Sequence, residues 1–528
     1  MNTREIYIGL IVCLFFVIGG CKDFLEEKSQ NMAYVEHVED LDEILIGECY
    51  LGGGWTLDTL DASKISNWTQ IGGNMEIFFP YIHLLDDDVT EYLSGPITAA
   101  SEKNYIRLKA MNLHHWQPDP FYNSENVEVK DVNWSKTWAR IAALNSIIFQ
   151  VGEMRSGEKD QMLCNRVEGE ARFLRAQFYF YLANLYGRPY CKATATTDPC
   201  IPLKTTEDIE DRYFSRETTG KVYAQMVDDL TRATQLLRGI ERITKYRTNQ
   251  AAAFALLSRV YLYMEEYEQS IVCADSVLRN KDYKLLDLND YKKEHSAVYI
   301  SSPEVIFSHG PSIMAMLHAP VVKSGINWVA STYTSSGDLM AAFDENDLRL
   351  KAFFIQRNSP GDGFRCVKTR GDADEVSDIM AIRLPEVYLN KAEALALLGR
   401  DGEARSAVQE LRAKRFNPEN LSTPSESGKD LVNFIRKERR CELCYEGHRW
   451  FDLRRYAVNG VYSYTKSIEH VSLMYDAGRG TYTEGKYILK PYPEDIAAYM
   501  LPIPAYAIDF NEGALTNEER NTREMVSE

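Results

Sequence analysis

Residues 249–279 place Phe254, Leu257, Ser258 and Tyr261 on one helix face, then Ser270, Ala274 and Val277 on the face of a following helix. Positions three and four apart meet on one side of a helix. This order of aromatic, Leu, small and Tyr, then small and apolar, follows the tetratricopeptide pattern. The small residues have a physical role, because two antiparallel helices approach closely there while the aromatic ring fills the groove beside them. A second copy reads Tyr388, Ala392 and Leu395, then Ala404, Val408 and Leu411, with Lys391 breaking it at one position. A third first helix reads Tyr179, Leu182, Ala183 and Tyr186 and stops at Gly187, with Pro189 just beyond. Its partner falls near 217–238, after a Cys-, Pro- and Thr-rich insertion.

Other stretches, about 50–100, 285–380 and 456–528, lack sustained helical periodicity and are rich in Gly, Tyr, Asp and Pro. They predict long loops with short strands and helices, and long loops in a compact protein carry function or binding surface. The expected fold class is mainly α. A tetratricopeptide-like helix-pair solenoid, about 133–284 and 381–456, packs against an irregular loop-rich subdomain with few short strands.

The N-terminus follows another pattern. Arg4 precedes an apolar run from Ile6 to Ile18, then Gly19, Gly20 and Cys21. A basic start, a short apolar stretch and small residues at the cut describe a signal peptide over 1–20. The run is shorter than the ~20 residues that span a hydrocarbon core. Ile18-Gly19-Gly20-Cys21 is a lipobox, so Cys21 is expected to become the lipidated first residue, acylated with palmitate, of a mature part spanning 21–528. Two or more acyl chains anchor stably, each buried CH2 contributing ~0.8 kcal/mol.

Composition narrows the function classes. With 60 Lys+Arg against 77 Asp+Glu, a net charge of −17 and no basic cluster, nucleic-acid binding has little support. Of ten cysteines, eight remain once Cys13 leaves with the signal and Cys21 is acylated, too few for a disulfide scaffold. Cys191 and Cys200 flank a polar loop and could pair in an oxidising compartment. The Cys441-x-x-Cys444 pair lacks zinc partners and reads as buried helix.

Several segments together resemble the SusD/RagB family. They are Glu168 to Ala176 with Phe178-Tyr179-Phe180 and Tyr186-Gly187-Arg188-Pro189, then Ile382 to Ala394, and most specifically Arg436 to Leu443 continuing as Glu446 to Arg455. Smaller echoes are Trp138-Ala139-Arg140-Ile141 with Asn145, Asp86-Asp87-Asp88, and Leu501-Pro502-Ile503-Pro504. The resemblance implies an outer-membrane lipoprotein facing the cell exterior. Such a protein sits as a lid on a SusC-like TonB-dependent transporter and binds oligosaccharides, or in some branches peptides.

The charged motifs have structural readings. In Arg436–Arg455, Glu438 and Glu442 lie four apart and Arg439 precedes Glu442 and Glu446 at helical spacing, so intrahelical pairs are expected. Asp86-Asp87-Asp88 is read as turn capping and loop stabilisation. Glycoside hydrolysis needs carboxylates on opposite sides of a sugar, ~5–9 Å apart, and no calcium-loop spacing is present. The nine histidines form no catalytic or metal motif, and His114-His115-Trp116 reads as a surface loop. No catalytic residue, metal or cofactor is expected.

A pyranose presents C–H faces that stack on aromatic rings and hydroxyls that need polar partners. Trp138 and Trp450 fall inside helical motifs and read as core. The family's ligand face is built largely from the first two irregular stretches, which implies Trp55, Asn67, Trp68, Asn74, Asn327, Trp328 and Tyr333 as candidate ligand contacts. The alternatives to glycan binding are a peptide binder on the same fold and a surface glycosidase.

Overall fold

The computed structural model describes residues 35–50, 81–95, 107, 110–122, 133–292, 296–310, 312, 317–318, 323–324, 327–328, 331–357, 363–369 and 376–527. Helices α1 (Val38–Ile44), α2 (Asn133–Met154), α3 (Gln161–Tyr186), α4 (Thr219–Leu236), α5 (Gln250–Tyr263) and α6 (Tyr267–Leu278) come first. After the second irregular stretch follow α7 (Leu384–Leu397), α8 (Asp401–Arg412), α9 (Gly428–Leu443) and α10 (Arg449–Ala457). Their starts are chemically marked. Asp160, Thr218 and Asn249 each accept a backbone N–H from the first turn of α3, α4 and α5, and Pro385 opens α7, where a missing donor is harmless.

Helices α2 to α6 pack in sequence, each on the next, and α6 then packs on α7 although residues 279–383 intervene. The solenoid is continuous through its insertion. In the α5–α6 hairpin the Ser258 hydroxyl donates to the Ser270 carbonyl (3.0 Å) and Ser270 donates back to Ser258 (2.9 Å). The small positions therefore lock the pair as well as admit it. Lys391, the exception in the second copy, reaches from α7 to Asp275 on α6 at 2.7 Å.

Gly187 does end α3, but not as a left-handed cap: its φ is −100°. A Cβ there would meet Cys200 Sγ at 2.7 Å and the Ala183 carbonyl at 2.9 Å, so close approach of the insertion demands the glycine. Cys200 lies buried there and is not paired with Cys191; both thiols are free, which removes the disulfide left open above. Cys441 and Cys444 are buried and free, as a helix reading requires.

The irregular stretches carry small ribbons: β1 (Val89–Leu93), β2 (Val305–Phe307), β3 (Lys323–Ser324), β4 (Asn327–Trp328), β5 (Ser331–Ser335), β6 (Phe354–Gln356), β7 (Phe364–Cys366), β8 (Ile382–Arg383), β9 (Ile468–Asp476), β10 (Gly480–Leu489) and β11 (Val526–Ser527). All pairings are antiparallel: β1–β5, β2–β8, β3–β4, β6–β7 and the three-stranded β11–β10–β9. The last is longer than the sequence led one to expect, with a bulge between Thr483 and Gly485. One buried apolar cluster runs from α1 through α2–α6 to the strands, and a second fills the α6–α9 end. Among the described residues no helix is long and apolar enough to cross a membrane.

Candidate functional site

The β1–β5 ladder joins the two stretches that carry the candidate ligand contacts. Val89 lies opposite Ser335 and Leu93 opposite Ser331, so the chain leaving β1 runs beside the chain entering β5, three residues after Trp328. Asn327 and Trp328 form β4, with Trp328 opposite Lys323 and Asn327 opposite Ser324. Trp55, Asn67, Trp68 and Asn74 lie outside the described residues.

Tyr333 is a correction. Its side chain is wholly buried behind the ladder, edge-on to His114 with ring centroids 4.8 Å apart. Burial pushes its phenol well above the ordinary value, with the nearby Glu91 adding to the rise. A ring with no exposed face cannot stack on a sugar. Of the two core tryptophans, Trp450 is buried and Trp138 half-buried against the same cluster.

The ladder rests on a layer of buried polar groups. Glu91 accepts from Arg107 and from the Leu473 backbone at 2.8 Å, with His115 Nε2 at 3.2 Å. His114 is also buried, not on a surface loop as expected. Its Nδ1 lies 2.9 Å from the Leu84 carbonyl and its ring stacks on His470 at 3.7 Å. Trp116 stacks on the same imidazole at 4.0 Å and donates to the Leu85 carbonyl. The sequence of two histidines and an indole reads as polar, but flat rings stack into a buried layer in which His114 Nδ1, both His470 nitrogens and the Trp116 N–H meet carbonyls. Burial, together with His470 and His115 alongside, holds the His114 pKa well below the usual imidazole range.

Asp86, Asp87 and Asp88 lie beside this layer, buried, with carboxylate oxygens within 4.8 Å of one another. The Asp88 N–H donates to Asp86 Oδ1 at 2.9 Å, the turn-capping bond expected. The cluster does more. Asp87 takes a forked contact from Arg449 (2.6 and 2.9 Å) and one from Lys466 (2.8 Å), while Asp88 takes Arg440 at 2.8 Å. Burial opposes charge on Asp87, yet Arg449 and Arg440 hold its pKa well below the carboxylate norm. Burial, Asp88 and Asp87 push Asp86 well above it. Three side-chain cations, Arg449, Lys466 and Arg440, thus face Asp87 and Asp88, while Asp88 Oδ2 is buried without a hydrogen-bond partner among the described residues, and three acids adjacent in one turn do not flank a sugar from opposite sides.

The charged helix α9 is structural, but its pairs are not the intrahelical ones expected. Glu442 accepts a forked contact from Arg415 (2.8 and 2.9 Å), with Arg349 and Arg383 at 3.4 Å. Glu438 takes Arg349 and Arg412, Glu446 takes Arg383 and Lys368, and Arg439 takes Asp452 at 2.8 Å. Every one of these groups is buried, so the bonds run between elements and fix α9 against α8, α10 and the second irregular stretch.

Comparison with known proteins agrees with this architecture. The family described as the SusD family matches residues 367–519, and the one described as starch-binding associating with outer membrane matches residues 87–262. The two matches, which fall in separate parts of the chain, together support a SusD-like family protein. It is 24% identical over 379 residues to a SusD-like protein of Formosa agariphila, covering 61% of this chain and 70% of that one. A SusD superfamily protein from Bacteroides thetaiotaomicron superposes with TM-score 0.65 at 22% identity, covering 92% of this chain and all of the other. A SusD-like carbohydrate binding protein from Bacteroides vulgatus superposes with TM-score 0.60 at 19% identity, covering 90% and 97%. At these identities the structures speak for the fold.

Proposed function

We propose that this chain captures oligosaccharides or polysaccharide at the cell surface, anchored to the outer membrane through lipid on Cys21, and hands them to a SusC-like TonB-dependent transporter without chemistry of its own. The observation that carries the reading is the β1–β5 ladder. It sets two irregular stretches, far apart in sequence, side by side, and rings and polar side chains carried on both would then be offered together to a sugar. Trp55, Asn67, Trp68, Asn74, Asn327 and Trp328 are its proposed contacts. The description of one matching family as starch-binding and associated with the outer membrane supports the same reading, as does the printed carbohydrate binding of a structural neighbour. In the carboxylate cluster beside the ladder, Asp87 and Asp88 are held by cations, and the three acids sit in one turn and not on opposite sides of a sugar, which speaks against a glycosidase.

Native affinity electrophoresis in gels containing a panel of polysaccharides tests it. One glycan should retard the wild-type chain, and Trp328→Ala or Trp68→Ala should abolish the shift. Retardation by none of them, with binding of a peptide library, would establish the peptide reading instead. Cys21→Ser should release the protein from membranes, and a large β-barrel should co-purify with the wild type.

A further inference from the structure

The β9–β10 hairpin comes from the third irregular stretch, yet it is fastened to the strand that carries the ladder. Glu91 of β1 accepts the Leu473 N–H at 2.8 Å, and Arg107, itself bonded to Glu91, donates to the Leu473 carbonyl at 3.0 Å. Nearer the hairpin tip, the Thr481 hydroxyl donates to the Leu93 carbonyl at 2.9 Å. Leu93 ends β1 opposite Ser331, three residues after Trp328. The tip thus lies at the end of the ladder where one candidate stretch leaves and the other enters.

Register decides which hairpin side chains face that end. Residues directly opposite on paired strands share a face, with Cβ atoms about 5 Å apart, and neighbours along a strand alternate. Tyr475 lies opposite Thr481, and Met474 opposite Tyr482. Since Thr481 reaches Leu93, the face it shares with Tyr475 is turned to the ladder end, and Met474 and Tyr482 occupy the other face. The two tyrosines also differ in what covers them. Arg479 places its guanidinium over the Tyr482 ring, 4.3 Å from the centroid. Tyr475 is half-buried, and among the described residues it has no ring or guanidinium on either face and no partner for its hydroxyl. Asp476 Oδ1 accepts the N–H groups of both Gly478 and Arg479 at 2.9 Å, which stiffens the turn beside it. A phenol on a stiff turn offers a flat apolar face and a hydroxyl at a low ordering cost, the combination that suits a pyranose.

We infer that Tyr475 is a third-stretch contact of the same ligand face, stacking on a sugar of the bound glycan beside the end of the ladder; this rests on the glycan-capture reading. Tyr333, wholly buried behind the ladder, is thereby replaced by a ring that the hairpin carries round to the ladder's open end.

The test is affinity electrophoresis of the full mature chain in gels holding amylopectin, xylan, galactomannan or laminarin. In a gel that retards the wild type, Tyr475→Ala should weaken the apparent affinity about fivefold, the loss of one stacked ring. Tyr475→Phe, which keeps the ring, should stay within about twofold, and Tyr482→Ala on the opposite face should run as wild type. Undiminished retardation of a folded Tyr475→Ala chain, or an equal loss in Tyr482→Ala, overturns the assignment of Tyr475 and leaves glycan capture standing. If no gel retards the wild type, glycan capture itself fails and the Tyr475 contact with it. Should Tyr475→Ala not fold, hydrogen exchange of the wild type with and without the retarding polysaccharide decides. Peptides over 473–483 should gain protection on binding, and unchanged exchange there overturns the contact.

Discussion

Two regions of this protein bury polar groups in opposite ways. On the α8–α9 side, charges are buried as charges: Glu442, Glu438, Glu446 and Glu304 interleave with Arg349, Arg383, Arg412 and Arg415. On the β1–β5 side, much of the buried polarity is uncharged imidazole. His114 stacks in its ring layer and His318 Nδ1 accepts the Cys366 N–H at 2.7 Å, and a further neutral imidazole, His309, meets Gln177 of α3 at 2.7 Å. The first arrangement is strong only while every member is present; the second is quiet at neutral pH and becomes costly when protons are abundant. The scaffold should therefore be sensitive to deletion and the ligand side to acid.

The largest effect is expected from breaking the ion network. Glu442→Gln leaves Arg415 without its forked partner and Arg349 and Arg383 with one neighbour fewer. Removing one member of a buried ion set destabilises by about 3–5 kcal/mol. Urea unfolding should show that loss. A change below about 1 kcal/mol would mean that Glu438 and Glu446 take over the freed cations, and that the network is redundant.

Acid should then separate the two regions. Burial pulls His309 down to about 3 and holds His318 and His114 well below the usual imidazole value. The unfolded chain takes up these protons below about pH 6.5, while the folded one does not. Stability from these groups is thus complete above about pH 6.5 and falls as pH drops toward the folded values. Each such histidine removes about 2 kcal/mol by pH 5. The acids behave otherwise. Burial opposes charge on Glu393, but Arg455 and Arg436 bring it to about 2, so its contribution is lost only as pH falls from about 4.5 toward 2. Hydrogen exchange at pH 5 should show peptides over 296–310, which carry His309, losing protection while α7 keeps it. His318→Gln, whose amide oxygen can still accept from Cys366, should flatten the stability slope between pH 5 and 6.5 by up to about 1.4 kcal/mol per pH unit. Uniform loss in both regions would erase the contrast.

The same contrast explains what the sequence disclosed. Helix pairs repeat a local rule, so Phe254, Leu257, Ser258 and Tyr261 announce their hairpin without reference to anything distant, and α5–α6 and α7–α8 lie where the periodicity puts them. Charged helix α9 was legible as a helix and as structural, but not in its partners, since Arg349 and Arg383 come from far earlier in the chain. His114 and His115 are polar letters in a short segment. Only Tyr333, His470 and Tyr487, brought from other strands, turn them into core. Nothing local marks Glu91 and Arg107 as the groups behind the ladder. The site is assembled by tertiary pairing, and spacing rules cannot read it.

The smallest expected effect is the most discriminating for the ligand face. Tyr333 was a candidate contact by position, yet its hydroxyl is buried with no partner among the described residues. A buried donor left unpaired is paid for in desolvation, so deleting it while keeping the ring should be neutral or slightly stabilising, within about 1 kcal/mol. Tyr333→Phe should therefore unfold at the same denaturant concentration as wild type or slightly higher, and migrate identically in glycan-containing gels. Trp328→Ala should instead lose the retardation. Should Tyr333→Phe retain its stability but lose glycan binding, the phenol must reach the ligand in the bound state, and the ladder would have to open for capture. Should both variants migrate like wild type, the contacts lie on the stretch that carries Trp55 and Trp68.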